Sequence, residues 1–148
     1  MKELFSYPGA SHDILFNADY KHVDQAPTCK ECDPAHITQR PARNDEKPII
    51  FYGNIASGDQ VMKDGITRDR LRKELDVLCF ETEAAGLMPD YPCLVIRGIC
   101  DYADSHKNKM WHEYAAATAS AFAKELLSYI TPEAVAQQEP IPQLVSGT

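Results

Sequence analysis

No run of the 148-residue chain approaches the ~20 consecutive apolar residues needed to cross a bilayer, so no membrane partner is expected. Basic residues are also in short supply. Fifteen Lys+Arg against 22 Asp+Glu leave a formal charge of -7. A nucleic-acid partner, which calls for a basic face that displaces counterions from phosphates, is therefore not expected. The N-terminal residues MKELFSYPGASHD lack the apolar core of a secretory signal. Glycine is sparse where a phosphate-cradling loop would use it, Gly9 being the only one in the first 48 residues. There is no internal repeat. Cysteines number five, an odd count, and Cys79, Cys93 and Cys100 sit in apolar stretches, which suits a reducing, cytoplasmic setting better than a disulfide scaffold. What is present is ordinary for a folded domain: 44% hydrophobic and 25% charged residues, which excludes wholesale disorder.

Three stretches differ in character. Residues 1–48 carry Pro8, Pro27, Pro34, Pro41 and Pro48 without sustained periodicity, and read as an irregular segment or insertion. Residues 49–130 alternate strand and helix signals. Residues 131–148 hold three prolines and no Lys or Arg, and read as a disordered tail or linker.

In the middle stretch, Ile49–Tyr52 is a β-branched and aromatic run ending near Gly53, with Asn54-Ile55-Ala56 as a possible extension. Thr67–Leu75 uses strong helix formers behind a possible Thr67 cap. Val77–Phe80 is a short buried-strand run, and Glu81–Met88 reads as helical up to Pro89. Cys93–Cys100 is the strongest strand signal, nearly continuous in apolar residues as parallel strands buried on both faces are. From His112 to Ile130, the residues Ala115, Ala119, Phe122, Ala123, Leu126 and Ile130 share a helical face. Strands alternating with helices predict an α/β fold with a mixed, mostly parallel sheet.

Ligands of such sheets gather at the carboxyl ends of strands, where this chain has Asp59, Glu81, Glu83 and Asp101. A carboxylate beside a buried strand is placed for a raised pKa and proton donation, while a second stays ionised and accepts hydrogen bonds from sugar hydroxyls. That division of labour suits cleavage of a glycosidic bond. Spacing alone favours carboxylates that cap turns and helices.

Three motifs bear on that choice: Gly53-Asn54-Ile55-Ala56-Ser57-Gly58-Asp59-Gln60, Cys79-Phe80-Glu81-Thr82-Glu83-Ala84-Ala85-Gly86 and Val95-Ile96-Arg97-Gly98-Ile99-Cys100-Asp101-Tyr102-Ala103-Asp104. Together they resemble the C-terminal half of the purine and uridine phosphorylase superfamily, in its methylthioadenosine/S-adenosylhomocysteine nucleosidase-like branch. The most similar version is the phosphorylase-like domain of fungal multidomain proteins. The resemblance implies a three-layer α/β/α sandwich and cleavage of the N-glycosidic bond of purine nucleosides, by phosphorolysis or hydrolysis.

Residue by residue, Asp101 matches the acid that protonates or hydrogen-bonds purine N7, and Glu83 the carboxylate that holds the ribose hydroxyls. Glu81 matches a supporting acidic partner, while Val61 and Met62 fall where the family contacts the base. Thr82 stands where the family has Met, Val61 where nucleosidases often have Phe, and Cys100 where a Ser commonly precedes the acid. Nothing before Ile49 resembles the family's phosphate- or water-handling half, so residues 49–130 read as part of a larger domain. That part would leave strand edges and apolar faces uncovered and would be marginally stable alone. The implied partners are a purine nucleoside and either the other half of the domain or a second copy. No metal or organic cofactor is implied, although inorganic phosphate is a possible co-substrate. The alternative is a non-catalytic nucleoside-sensing or interaction module.

Outside those motifs, Cys29-x-x-Cys32 with His22 and His36 reads first as free thiols in a loop, with a four-ligand zinc site as the alternative. His106 reads as part of a solvated polar loop and Trp111 as packing for the last helix. Arg97, inside an apolar run, predicts an ion pair with a buried Glu81 or Glu83. Arg68, Arg70, Arg72 and Lys73 read as a solvated helix face.

Overall fold

A computed structural model describes residues 4–24, 26 and 28–138. Its centre is a β-α-β unit: β1 (Asn54–Ser57), α1 (Gly65–Leu75) and β2 (Val77–Glu81), followed by the single turn α2 (Ala84–Leu87). The strands pair in parallel, with Ile55 opposite Cys79 and Ser57 opposite Glu81, and the register shifts between Asn54 and Ile55. This is an α/β arrangement with the predicted parallel pairing, in a sheet of two strands among the described residues. After a long irregular connection come α3 (His112–Ser128) and the short α4 (Pro132–Ala136).

The start of α1 departs from the Thr67 cap that the sequence suggests. Asp64 is the cap, its carboxylate accepting from the Thr67 N–H at 2.8 Å, and Lys21 contacts the same carboxylate. A Cβ on Gly65 would lie 2.6 Å from the carbonyl oxygen of Ala18, so only glycine lets the helix start this close to the N-terminal segment. At the far end, Asp76 takes a left-handed conformation (φ 48°) that breaks the helix and turns the chain into β2.

Two strand expectations are corrected. Ile49–Tyr52 lies outside the sheet, which starts only at Asn54, and its side chains are exposed. Cys93–Cys100 is not a strand. An apolar run forms a strand only against a partner with free backbone groups, and the near neighbour here is a helix. A Cβ on Gly98 would lie 2.0 Å from the carbonyl oxygen of Ala115, so this segment rests backbone-to-backbone on α3. On α3, Ala115 is buried and Ala119, Phe122, Ala123 and Leu126 are half-buried, following the predicted stripe, while Ile130 lies beyond the helix and is exposed. Within the stretch read as tail or linker, Thr131 caps α4 by accepting from the Ala134 N–H at 3.2 Å. Residues 139–148 lie outside the described residues.

The irregular N-terminal segment is organised by short three-residue turns (Ala10–His12, Cys29–Glu31, Pro34–His36) and one antiparallel bridge between Phe16 and Ile37. It packs on the loop before α3: Trp111 Nε1 donates to the His12 carbonyl at 3.2 Å, and the Trp111 ring meets Tyr7 and Tyr114 edge-on. Trp111 thus packs at the start of α3, as expected.

Candidate functional site

The carboxyl ends of β1 and β2 lie side by side and build the first cluster. Glu81 closes β2 and is buried. Its carboxylate accepts from the backbone N–H groups of Glu83 and Ala84, both at 2.9 Å, and so caps α2. Burial pushes its pKa up, but hydrogen bonding to Ser57 and to these amides, with the Arg97 charge, outweighs that and holds it below the usual carboxylate value. From β1, Ser57 Oγ accepts from the Ala85 N–H at 2.8 Å, tying the two strand ends together.

Glu83 behaves differently. Its side chain is 60% exposed and pairs with Arg97 at 3.2 Å. Thr82 donates its hydroxyl to Glu83 Oε1 at 2.8 Å, so the polar side chain at this position steadies the outward-facing carboxylate. Arg97 therefore finds the carboxylate partner the sequence called for, but at the surface rather than buried.

The second cluster surrounds Asp101, at the end of the 93–100 segment. Asp101 accepts from the Ala103 N–H at 2.9 Å and from Lys107 Nζ at 2.8 Å. Ala103 sits at φ 54°, a left-handed conformation that costs an alanine energy and closes this tight turn. The Cys100 thiol donates to the other Asp101 oxygen at 3.4 Å. Burial and the neighbouring Asp101 charge push that thiol up to about 11. For Asp101, burial acts upward, but Lys107, the Ala103 amide and Cys100 together draw its pKa below the usual value. The raised pKa expected for a carboxylate after a buried run is absent because Lys107 pairs with it.

Val61 and Met62 form a third group. They line an open groove of about 370 Å³ with Lys21, Gln60, Lys63, Asp64 and Thr67. Glu81, Glu83 and Asp101 are not among its lining residues. Asp59 is exposed in the loop before it. Glu81, Thr82 and Glu83 are thus brought together, while Asp101 and the Val61–Met62 pair occupy separate surroundings.

Four polar side chains that matter were missed or misread. Ser57 and Lys107 carried no role in the sequence reading; Lys107 lies in a polar turn only six residues after Asp101. Arg68, read as part of a solvated face, is largely buried and donates to the Tyr102 carbonyl at 2.8 Å, with Asp104 at 3.5 Å. His106, read as a solvated loop residue, is buried and stacks on Phe16 with ring centroids 4.1 Å apart. Burial holds this imidazole below its ordinary pKa against the opposing pull of Asp104.

Of the four side chains considered for zinc, His22, Cys29 and Cys32 converge, their ligand atoms lying within 4.8 Å of one another. His36 stacks on Tyr20 instead, with centroids 4.2 Å apart. Burial, with Cys32 nearby, pushes the Cys29 thiol up to about 11, which disfavours a reactive thiolate there.

Comparison with known proteins finds no matching family model and no matching solved structure. The chain is 47% identical over 133 residues, 90% of its length, to a nucleotide-binding leucine-rich repeat (NLR)-like protein of Hyaloscypha variabilis. Over 86 residues, 55% of its length, it is 33% identical to a 5'-methylthioadenosine/S-adenosylhomocysteine nucleosidase of Mycobacterium tuberculosis. Over 87 residues it is 31% identical to the ATP nucleosidase Cap17 of Escherichia coli. The matched parts span 13%, 34% and 17% of these three relatives. These relatives bear out the resemblance read from the three motifs. No helix among the described residues is long and apolar enough to cross a membrane.

Proposed function

Starting from this kinship with nucleosidases, we propose that the chain supplies the base-side and ribose-side residues of a site that cleaves the N-glycosidic bond of a purine nucleoside. The observation that carries this reading is the division between two acids at one strand end. Glu81 is consumed by the backbone it caps, while Glu83 stands outward, its side chain 60% exposed and its carboxylate held by Arg97 and Thr82. A solvent-facing, pre-oriented carboxylate is what gripping vicinal hydroxyls requires.

In this reading Glu83 accepts hydrogen bonds from the ribose, with Glu81 supporting it and Thr82 steadying it, and Val61 and Met62 contact the base. Asp101 serves purine N7. As the bond between the sugar and the base breaks, its electron pair passes into the purine ring, and a proton at N7 neutralises that charge. The sugar cation is captured by water or by inorganic phosphate as co-substrate; no other cofactor is needed. Because Lys107 holds Asp101 ionised at rest, Asp101 takes up a proton only when the incoming base draws Lys107 away. Bringing Asp101, Glu83 and the Val61–Met62 groove into one cleft belongs to the full three-layer α/β/α sandwich. In this proposal the remaining layers come from the rest of the domain or from a second copy.

The test is release of free base from adenosine and inosine, with and without phosphate. In a longer protein carrying this segment, Asp101→Asn lowers turnover by ~100-fold or more, as loss of a general acid does. A loss below about threefold would remove Asp101 from that role. The Asp101–Lys107 pair, which leaves the acid ionised, also favours a second reading: a module that binds nucleosides without cleaving them. Calorimetric binding of adenosine with no base released supports that reading over the first.

A further inference from the structure

The buried part of the N-terminal segment is unusual in composition. Beside Phe16, the buried side chains where it meets the loop before α3 are Cys32, Asp104 and His106. Among the described residues, both ring nitrogens of His106 are buried without a hydrogen-bond partner. A buried imidazole left this way loses its water hydrogen bonds and gains nothing in exchange. Its surroundings contain what would use it: the His22 ring lies edge-on with centroids 5.4 Å apart, and Cys29 Sγ lies 3.9 Å from the His106 carbonyl oxygen.

We propose that His22, Cys29, Cys32 and His106 form a structural zinc site. The first three already have their ligand atoms within 4.8 Å of one another. Tetrahedral zinc needs neighbouring S and N atoms roughly 3.5–3.8 Å apart, a contraction that small side-chain shifts supply. His106 lies outside that 4.8 Å group and completes the set by turning toward it; it takes this place rather than His36 because both of its ring nitrogens are buried without a hydrogen-bond partner among the described residues. Its Nδ1 lies 3.5 Å from Asp104 Oδ1, and Arg68 approaches the other Asp104 oxygen. Asp104 makes no hydrogen bond to the ring at this distance, but a small approach would let its carboxylate accept from Nδ1–H and leave Nε2 for the metal, the usual arrangement behind zinc-bound histidines. Two thiolates and two imidazoles favour zinc over harder cations.

The ligands come from two distant parts of the chain, residues 22–32 and residue 106. One ion would therefore staple the irregular segment to the loop that also carries Asp101 and Lys107. That is the device a small, thinly cored structure uses when apolar burial falls short. The inference does not depend on the nucleosidase reading, since it concerns other residues and is read out without turnover.

The experiment takes the whole chain, reduced and stripped with chelator, and titrates it with Zn²⁺ and separately with Co²⁺. One equivalent of Zn²⁺ binds, the thermal midpoint rises, and the Co²⁺ form shows thiolate-to-metal charge transfer with tetrahedral d–d bands. Bound Zn²⁺ protects Cys29 and Cys32 from alkylation while the exposed Cys93 still reacts. Cys29→Ser abolishes the charge-transfer band, His106→Ala weakens binding at least ~10-fold, and His36→Ala leaves it unchanged. Substoichiometric binding, or a Co²⁺ spectrum without thiolate bands on the unaltered chain, overturns the site whether or not any variant folds. Loss of metal in His36→Ala with retention in His106→Ala overturns the fourth ligand.

Discussion

The two halves of this molecule distribute burial against expectation. The apolar runs at residues 49–52 and 93–100 are the most hydrophobic parts of the chain, yet Ile49, Ile50, Phe51, Tyr52, Leu94 and Ile99 are exposed. The irregular, proline-punctuated segment before them provides Phe16 at 2% exposure, the most deeply buried hydrophobic side chain among the described residues. Hydrophobicity specifies what gains by burial, but burial needs a surface to bury against. The N-terminal segment has one, in the 101–111 loop with its stacked His106 and paired Asp104. Among the described residues, the apolar runs have only a two-stranded sheet and one helix face nearby.

The sharpest way to break that comparison is to truncate one phenylalanine from each region. Phe16→Ala should cost about 3–5 kcal/mol, because it removes a buried ring that stacks on His106 and meets Tyr20 at a tilt. Phe51→Ala should stay within ~0.5 kcal/mol, since its ring already faces water at 63% exposure. Urea melts of the two variants measure both values. Equal losses would mean that the 49–52 run is packed in solution and that the contrast is false.

A smaller effect sharpens the one place where an apolar run is covered. Gly98→Ala drives a methyl group into the Ala115 backbone and should cost about 1–3 kcal/mol, because a helix backbone cannot step aside as a side chain can. Gly58→Ala places its methyl in open space and should leave the thermal midpoint nearly unchanged. If Gly98→Ala is as mild, the 93–100 segment does not rest on α3.

How much of this was legible beforehand follows from the same contrast. Val77–Phe80, the helix after Gly65 and the stripe on α3 were readable because local propensity and periodicity decide them. The strand expected over Cys93–Cys100 was not, because pairing depends on another segment's free backbone groups, which local sequence does not record. At the candidate site, Glu81, Glu83 and Asp101 were singled out by their places after apolar runs and given roles by motif resemblance, and the Glu83–Arg97 pair followed from the oddity of an arginine in an apolar run. Lys107 and Ser57 escaped because their roles arise in space: the left-handed Ala103 folds the chain so that Lys107 returns to Asp101, and parallel strand pairing brings Ser57 beside the end of β2. His106 was misread because a polar neighbourhood in sequence became an aromatic one in space.

The smallest expected effect on stability concerns that pair and separates fold from chemistry. Asp101 is pushed up by burial but held lower overall by Lys107, the Ala103 amide and Cys100. With its folded pKa below the unfolded value of about 3.9, Asp101 favours the fold above that pH, and the contribution disappears as pH falls through the lower folded pKa. Lys107→Met removes the largest of the downward influences and leaves burial less opposed, so the Asp101 pKa should rise and its stabilising share should shrink. Carboxyl-carbon NMR titration reads the first change, and thermal midpoints between about pH 2 and 7 read the second. An Asp101 titration unmoved by the substitution would mean that Lys107 is swung away in solution. If the pKa does rise, Lys107→Met in a catalytically competent longer protein should extend activity to higher pH, because more of the acid form survives there. A rise in pKa without that extension would leave Asp101 structural, and would favour the binding module over the enzyme.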